Sequence, residues 1–192
     1  TGLGKTMAYL FPALKKNNLD PDSGPVIISC HTKYLQDQLF SQDLPKISTA
    51  ADIPVQAVLL KGRSNYICRT RLDWLVSNND RILDDRELVT ILPLIVWLHW
   101  TKTGDLDECP AFSNGYNFRI MSLIQSDRGY CTTPICSKYD GCFFGNIRKL
   151  IHKSNLIVVN HALLVSESNS RLKDDEGIGF LPLHNTVIID EA

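Results

Sequence analysis

The sequence predicts an α/β fold in which a parallel sheet is interrupted by a mainly helical insertion. Short apolar runs at 26–30, 156–159 and 187–189 have the composition of strands that are buried on both faces, which is typical of parallel sheets. Helical patterns lie between the early runs, and alternation of strands with helices favours a parallel arrangement. The middle of the chain, about 61–153, lacks this alternation and combines helical tendency with loops.

We therefore divide the chain into 1–60 and 154–192, which form one sheet domain, and 61–153, which is inserted between them. The 192 residues, of which 44% are hydrophobic, suffice for one sizeable core and a small insertion. The net charge of −1 means that any contact with nucleic acid must come from local basic patches. No apolar run reaches the roughly 20 residues that a membrane helix needs, so no membrane partner is expected.

Hydrophobic spacing predicts the individual elements. A first helix follows Thr6 and turns one apolar face inward, formed by Met7, Leu10, Phe11 and Leu14. Thr32 is predicted to cap a second helix that ends near Phe40, and a strand is predicted over 55–60. In the middle we predict one helix over 81–103, kinked at Pro93. Loops are predicted at 104–115, 127–141 and 169–183.

The first residues contain the end of a Walker A pattern, Gly4-Lys5-Thr6. Gly2 and Gly4 let backbone N–H groups turn inward around phosphate oxygens, and the positive end of the following helix points at the same phosphates. Lys5 would reach the β and γ phosphates of ATP, and Thr6 would ligate Mg²⁺. The alternative is a glycine-rich turn that is followed by a lysine and a threonine by chance.

The last residues fit a Walker B motif, in which an apolar strand ends in acids. The run 187–189 is followed by Asp190 and Glu191. Asp190 would hold Mg²⁺, through water, and Glu191 would orient or deprotonate the attacking water. A strand that ends in solvated carboxylates is the alternative, but the presence of both motifs in the expected order predicts an ATP site.

Four of the six cysteines form the pattern C-x62-C-x4-C-x5-C, namely Cys68, Cys131, Cys136 and Cys142. Structural zinc sites usually take their ligands in close pairs. One remote cysteine with three clustered ones is common for iron–sulfur clusters, so we predict a metal cluster on these four. Unrelated thiols are the alternative. Cys30 is expected in the core, whereas Cys109 would be a free thiol or a spare ligand.

Basic and aromatic residues flank the cysteines on both sides. Lys61, Arg63, Arg69 and Arg71 surround Tyr66, and Phe143 and Phe144 precede Arg148, Lys149, His152 and Lys153. Such groups can neutralise phosphates and stack on the bases of a single strand, so a DNA-contacting role is predicted for Arg63, Tyr66, Arg148 and Lys149. The alternative is an ordinary solvated charged surface.

Taken together, these residues resemble the DinG branch of the XPD-like, superfamily 2 helicases. The resemblance covers essentially the whole chain. Its most specific parts are 1–6, the lead-in K-G-R-S-N-Y-I-C at 61–68, the three clustered cysteines, V-N-H-A-L-L at 159–164, and the ending Asp190-Glu191-Ala192, which is similar to a DEAH box without its histidine.

The resemblance implies a RecA-like motor domain with an inserted four-iron, four-sulfur domain whose ligands are Cys68, Cys131, Cys136 and Cys142. It implies movement in the 5′-to-3′ direction on single-stranded DNA, driven by ATP hydrolysis, with Thr32 and Lys33 touching the DNA backbone. Forked or displaced DNA would be the substrate and DNA repair the setting. A monomer in the bacterial cytoplasm, associated with the nucleoid, is expected.

The chain also departs from the family's pattern. A complete helicase of this kind has a second RecA-like domain, which supplies an arginine finger, and an arch domain after the DEAH box. Since an arginine finger contributes a factor of roughly 10³ to 10⁵ in rate, this chain alone is expected to hydrolyse ATP poorly. Two rival functions remain, a zinc-stabilised nucleic-acid-binding module without motor activity and a P-loop ATPase that is not a helicase.

Overall fold

The computed structural model describes residues 4–20, 23–113, 117–127, 129–131, 136, 142–173 and 179–191. The chain forms two compact units. The first unit comprises Thr1–Lys61 and Lys149–Ala192, and the second unit comprises Gly62–Arg148. The predicted roles of these segments as a motor domain and a cluster insertion stay predictions.

The first unit contains a four-stranded parallel sheet, as the sequence predicts. Its order is β2-β3-β1-β4, with β1 Val26–Cys30, β2 Ala57–Leu59, β3 Leu156–Asn160 and β4 Thr186–Ile189. Every residue of β1 is buried, because this strand lies between β3 and β4. The strand predicted over 55–60 is confirmed but is shorter than predicted.

Ten helices lie in the part of the chain that is described. They are α1 Lys5–Leu19, α2 Lys33–Gln38, α3 Leu44–Ala51, α4 Arg69–Ser77, α5 Asn79–Ile82, α6 Asp85–Trp97, α7 Pro110–Ser113, α8 Phe118–Ile124, α9 Phe143–Ile151 and α10 His161–Lys173. Short 3₁₀ turns occur at Arg63–Asn65 and Leu106–Glu108, and a π-helical turn joins α2 to α3. No helix among the described residues has the length and apolar character needed to cross a membrane.

Two predictions for the first unit need correction. Met7 and Phe11 are 56% and 47% exposed, because α1 buries the face that carries Leu10, Ala13 and Leu14 instead. The helix that Thr32 caps does not end near Phe40, since the π-helical turn at Leu39–Asp43 carries it on into α3. That turn shifts the helical register, so that Leu39, Leu44 and Ile47 all reach the core.

The second unit packs its helices around a separate apolar core. The largest fully buried side chains there include Ile67, Leu75, Leu94, Leu106, Phe112 and Ile120. Asp84 and Glu87 form a capping box that starts α6, so the predicted helix over 81–103 begins at Asp85, and it ends at Trp97. Pro93 lies inside α6.

The predicted loops also change. The stretch 104–115 contains the Leu106–Glu108 turn and α7, and α10 extends to Lys173, beyond the predicted start of a loop at 169. The loop predicted at 127–141 lies mostly outside the described residues.

Candidate nucleotide cleft and cysteine cluster

The predicted phosphate-binding and acidic motifs line one cleft in the first unit. The register of the sheet aligns the carboxyl ends of β1, β3 and β4, and Asp190 directly follows β4. A cleft of about 460 Å³ lies here, and its wall includes Gly4, Lys5, Thr6, Asp190 and Glu191. We call it the nucleotide cleft. Gly2 lies outside the described residues.

The start of α1 has the backbone that a phosphate loop needs. Gly4 has a φ of 72°, in the left-handed region that favours glycine, and its carbonyl accepts the helical hydrogen bond from Ala8 N. Lys5 is exposed in the cleft wall and Thr6 is partly buried. The first residues of α1, whose N–H groups have no partner within the helix, line the cleft, where an anion would be stabilised.

Residues that the sequence does not predict also line the nucleotide cleft. Gln38, Asp43 and Lys46 come from the helices after Thr32. Lys46 is exposed and adds a second cation to the wall that contains Lys5. No local pattern distinguishes it from a solvated surface lysine, because only the packing of α3 against the rest of the first unit brings it here.

Asp190 is oriented by contacts on both its backbone and its side chain. Its backbone N donates to Ser29 O at 2.9 Å, which continues the pairing of β4 with β1. Tyr9 Oη donates to Asp190 Oδ2 at 3.0 Å. Burial raises the pKa of Tyr9 above its usual value, and the Asp190 carboxylate raises it further, so the phenol stays a donor. Glu191 follows with a φ of 57° and is exposed.

A polar pair connects the neighbouring strand ends. His161 follows β3, and its Nδ1 lies 2.6 Å from Ser29 Oγ on β1. The rings of His31 and His161 meet edge to face, with centroids 5.6 Å apart. Ser29 thus contacts β4 through its carbonyl and His161 through its hydroxyl.

Among the cluster cysteines, Cys68, Cys131, Cys136 and Cys142, electrostatic effects of the others act on Cys68 and on Cys136. The side chains of Cys136 and Cys142 are hydrogen bonded. The pKa of Cys136 is raised to about 11, mainly by burial and in addition by the nearby Cys142, Cys131 and Cys68. Burial also raises the pKa of Cys68, with smaller contributions from Cys131 and Cys142. Buried thiols that lie close together resist ionisation unless a cation joins them.

Among the described residues, no group of three or more His, Cys, Asp or Glu side chains is arranged to hold a metal ion. All six cysteines are free thiols. Cys30 is buried in β1, as predicted, and Cys109 is 3% exposed in the core of the second unit, so it is neither an accessible thiol nor a spare ligand.

Several basic side chains near the cysteines make structural contacts. The guanidinium of Arg63 lies 4.6 Å from the ring centroid of Phe144, and that of Arg69 lies 4.6 Å from that of Phe143. Arg71 stacks on Tyr130 and donates to the backbone carbonyls of Ser122 and Gln125. These contacts fix the guanidinium groups against aromatic faces.

Two residues of the predicted DNA-contacting patches, Tyr66 and Lys61, are buried, so the predicted exposure of their side chains is wrong. Tyr66 is 2% exposed and packs beside Phe144, so its ring is not accessible to a base. Lys61 is also 2% exposed and forms an ion pair with Asp37 at 3.0 Å. Both residues occupy positions set by packing, which residue spacing alone does not reveal.

The other predicted DNA contacts are more accessible. Lys33, Arg148 and Lys149 are exposed. Thr32 is exposed as well, but its hydroxyl already accepts a hydrogen bond from Leu35 N at 3.2 Å and caps α2.

The four-stranded parallel sheet is compatible with a RecA-like α/β domain. No family model matches the chain. The chain is 36% identical to the ATP-dependent DNA helicase YoaA of Haemophilus influenzae and 35% identical to that of Escherichia coli, and both alignments cover all of the chain. It is 34% identical to the 3′-5′ exonuclease DinG of Bacillus subtilis, again along its whole length.

The chain is therefore similar throughout to a segment of DinG-type helicases, which confirms the predicted resemblance. It spans 28% of the length of each YoaA protein and 19% of the Bacillus subtilis protein.

Proposed function

We propose that this chain is the nucleotide-binding and cluster-bearing segment of an ATP-dependent DNA helicase that moves in the 5′-to-3′ direction. The proposal rests on one observation, namely that Lys5 and Thr6 line the same cleft as Asp190 and Glu191. These residues lie at opposite ends of the sequence, so a chance match of either short motif does not account for their shared location. The names of the relatives support DNA as the substrate.

The nucleotide cleft supplies the groups that ATP hydrolysis requires. Lys5 and the N–H groups at the start of α1 would hold the phosphates. Thr6 would ligate Mg²⁺, and Asp190 would hold a water of that ion. Glu191 would orient the attacking water or accept its proton. An arginine finger from a second RecA-like domain would complete the site, so we expect this chain alone to bind ATP but to turn it over slowly.

The second unit would carry a four-iron, four-sulfur cluster on Cys68, Cys131, Cys136 and Cys142. The fit rests on the chemistry of the four thiols, since Cys131 and Cys142 lie near enough to Cys68 and Cys136 to raise the pKa of both. Iron would supply the positive charge that stabilises the thiolates. The cluster would be structural, since ATP-driven strand separation needs no electrons. It would make the second unit a rigid wedge near a duplex junction.

DNA would be held mainly through its phosphates. Lys33, Arg148 and Lys149 are exposed and suited to neutralise backbone charge. Single strands and forked or displaced structures would be the substrates, and DNA repair the setting. We expect the complete protein to act as a monomer in the cytoplasm, associated with the nucleoid.

Binding of a fluorescent ATP analogue in the presence of Mg²⁺ tests the nucleotide site. Lys5→Ala should weaken binding about 10- to 100-fold, because it removes a charged contact to phosphate. Lys15→Ala is the matched control, since Lys15 is an exposed lysine on the same helix outside the cleft wall. Equal affinity of the Lys5→Ala variant and the unchanged chain, or no binding by the unchanged chain, would contradict the proposal.

A further inference from the structure

A second cavity of the first unit lies at the amino ends of its strands. Its wall is formed by the last turn of α1 and by the segments that lead into β1, β2 and β3, namely 24–25, 54–56 and 152–155. The nucleotide cleft lies beyond the carboxyl end of β4, so the two cavities lie at opposite edges of one parallel sheet. The second cavity measures about 480 Å³, a size typical of small-molecule sites, and we call it the amino-end cavity.

The amino-end cavity has a wall that is positively charged and rich in amides. His152 and Lys153 follow α9, and both are exposed. The side chain of Gln56, which is also exposed, adds an amide donor and an amide acceptor. Among the described residues, no carboxylate lines this cavity. Because lysine and imidazole supply N–H donors, the wall is suited to an anion such as a phosphate.

Asn17 contributes a buried acceptor without a partner to the same wall. The residue is 5% exposed, and its Nδ2 donates to Asn155 O at 2.5 Å. This bond fixes the orientation of the amide, and Oδ1 then has no hydrogen-bond partner among the described residues. Buried polar groups are nearly always paired, so an unpaired oxygen in a residue of a cavity wall indicates a missing donor. A ligand that enters the cavity with an N–H or O–H group would supply that donor.

We infer that the amino-end cavity binds a small phosphate ester that also carries a hydrogen-bond donor. The phosphate would lie against Lys153 and His152, and the donor would pair with Asn17 Oδ1. A nucleoside has the donor without the charge, and inorganic phosphate fills only a fraction of the cavity, whereas a mononucleotide has both groups and a suitable size. No residue of this wall lines the nucleotide cleft, so the inference stands or falls separately from the proposed function.

The experiment is isothermal titration calorimetry of the chain with thymidine monophosphate. A saturating concentration of the ATP analogue with Mg²⁺ is present, which keeps the nucleotide cleft occupied. Lys153→Ala should weaken binding about tenfold or more, because it removes a charged contact to the phosphate. Gln56→Glu should weaken it as well, because it places a carboxylate in the wall with little change of shape. Lys173→Ala is the matched control, since Lys173 is an exposed lysine on α10 that lines neither cavity.

The same chemistry occurs in a free mononucleotide and in the 5′-phosphorylated end of a DNA strand. A short oligothymidine with a 5′-phosphate and the same strand without it separate these two sources. If the phosphorylated strand binds more tightly than both thymidine monophosphate and the unphosphorylated strand, and Lys153→Ala removes the difference, the ligand is a DNA end. If the phosphate adds nothing to the binding of the strand, the ligand is a free nucleotide.

Weaker binding of thymidine monophosphate by Lys153→Ala and Gln56→Glu, with unchanged binding by Lys173→Ala, supports the inference. Thermal unfolding of each variant shows whether it is folded, and Gln56→Glu alone decides if Lys153→Ala is not. Equal affinity of the folded variants and the unchanged chain overturns the inference, as does absence of binding of both the mononucleotide and the phosphorylated strand. If the chain binds thymidine monophosphate but not the ATP analogue, the proposed function fails and the inference stands.

Discussion

Asp37 and Lys61 illustrate how packing decides the role of a charged residue. Lys61 follows β2 and lies in a basic stretch, yet its side chain is 2% exposed and its ammonium lies 3.0 Å from a carboxylate oxygen of Asp37. Asp37 comes from α2 and is about half exposed. A buried ammonium needs an anionic neighbour, so this ion pair stabilises the packing of the end of β2 against α2. Because Lys61 is buried in this pair, its side chain is not accessible to DNA.

Asp37→Asn should therefore lower the free energy of unfolding by about 1 kcal/mol, a value discounted because Asp37 is half solvated. Urea denaturation followed by circular dichroism measures the change. Asp73→Asn is the control, because Asp73 is an exposed aspartate on α4. If the two variants unfold at the same urea concentration, the ion pair does not stabilise the first unit.

The residues of the nucleotide cleft differ in how far the sequence predicts them. Lys5, Thr6, Asp190 and Glu191 are predictable because each belongs to a short motif with its own chemistry. Tyr9 is not, since its hydrogen bond to Asp190 joins residues 181 positions apart and depends on which strand lies next to β1. The spacing of the cysteines predicts their association, but the burial of Tyr66 beside them is a result of tertiary packing.

At the scale of elements, Gly104 in the segment after α6 contacts two other segments of the second unit, at Ile67 and at Phe143. Gly104 has a φ of 69°, and its carbonyl accepts a hydrogen bond from Ile67 N at 2.9 Å. The next residue, Asp105, forms an isolated antiparallel bridge with Tyr66. A Cβ atom at position 104 would lie 2.3 Å from the ring of Phe143 at the start of α9. Both the backbone and the close approach therefore require glycine here.

Gly104→Ala should destabilise the second unit by about 2 kcal/mol or more, from the left-handed backbone and the forced movement of Phe143. Gly129→Ala is the control, because a Cβ atom there makes only an ordinary contact of 3.4 Å with the Asp127 side chain. Thermal unfolding of the two variants provides the measurement. A Gly104→Ala variant as stable as the control would show that the ring of Phe143 adjusts without cost.

Element boundaries were less predictable than element types. The parallel sheet and its buried strands follow from apolar runs, and the Thr32 cap follows from a local preference. The π-helical turn at Leu39–Asp43 has no local signature and arises because it brings Leu44 and Ile47 into the core. The apolar spacing predicts the buried face of α1 wrongly for a related reason, since Met7 lines the nucleotide cleft instead of the core.

At the scale of the whole molecule, the two compact units carry different chemistry. The first unit contains the sheet and the nucleotide cleft, and the second contains Cys68, Cys131, Cys136 and Cys142. The division implies that loss of the cysteines should impair the second unit without abolishing nucleotide binding.

Anaerobic purification of the chain, followed by metal analysis and a visible absorption spectrum, tests the central claim most directly. We predict a brown protein with about four irons per chain, and loss of the iron and colour in Cys136→Ser but not in Cys109→Ala. The second variant is the control, since Cys109 is a core thiol of the same unit. A colourless protein with one tightly bound zinc, or full retention of iron by Cys136→Ser, would contradict the account.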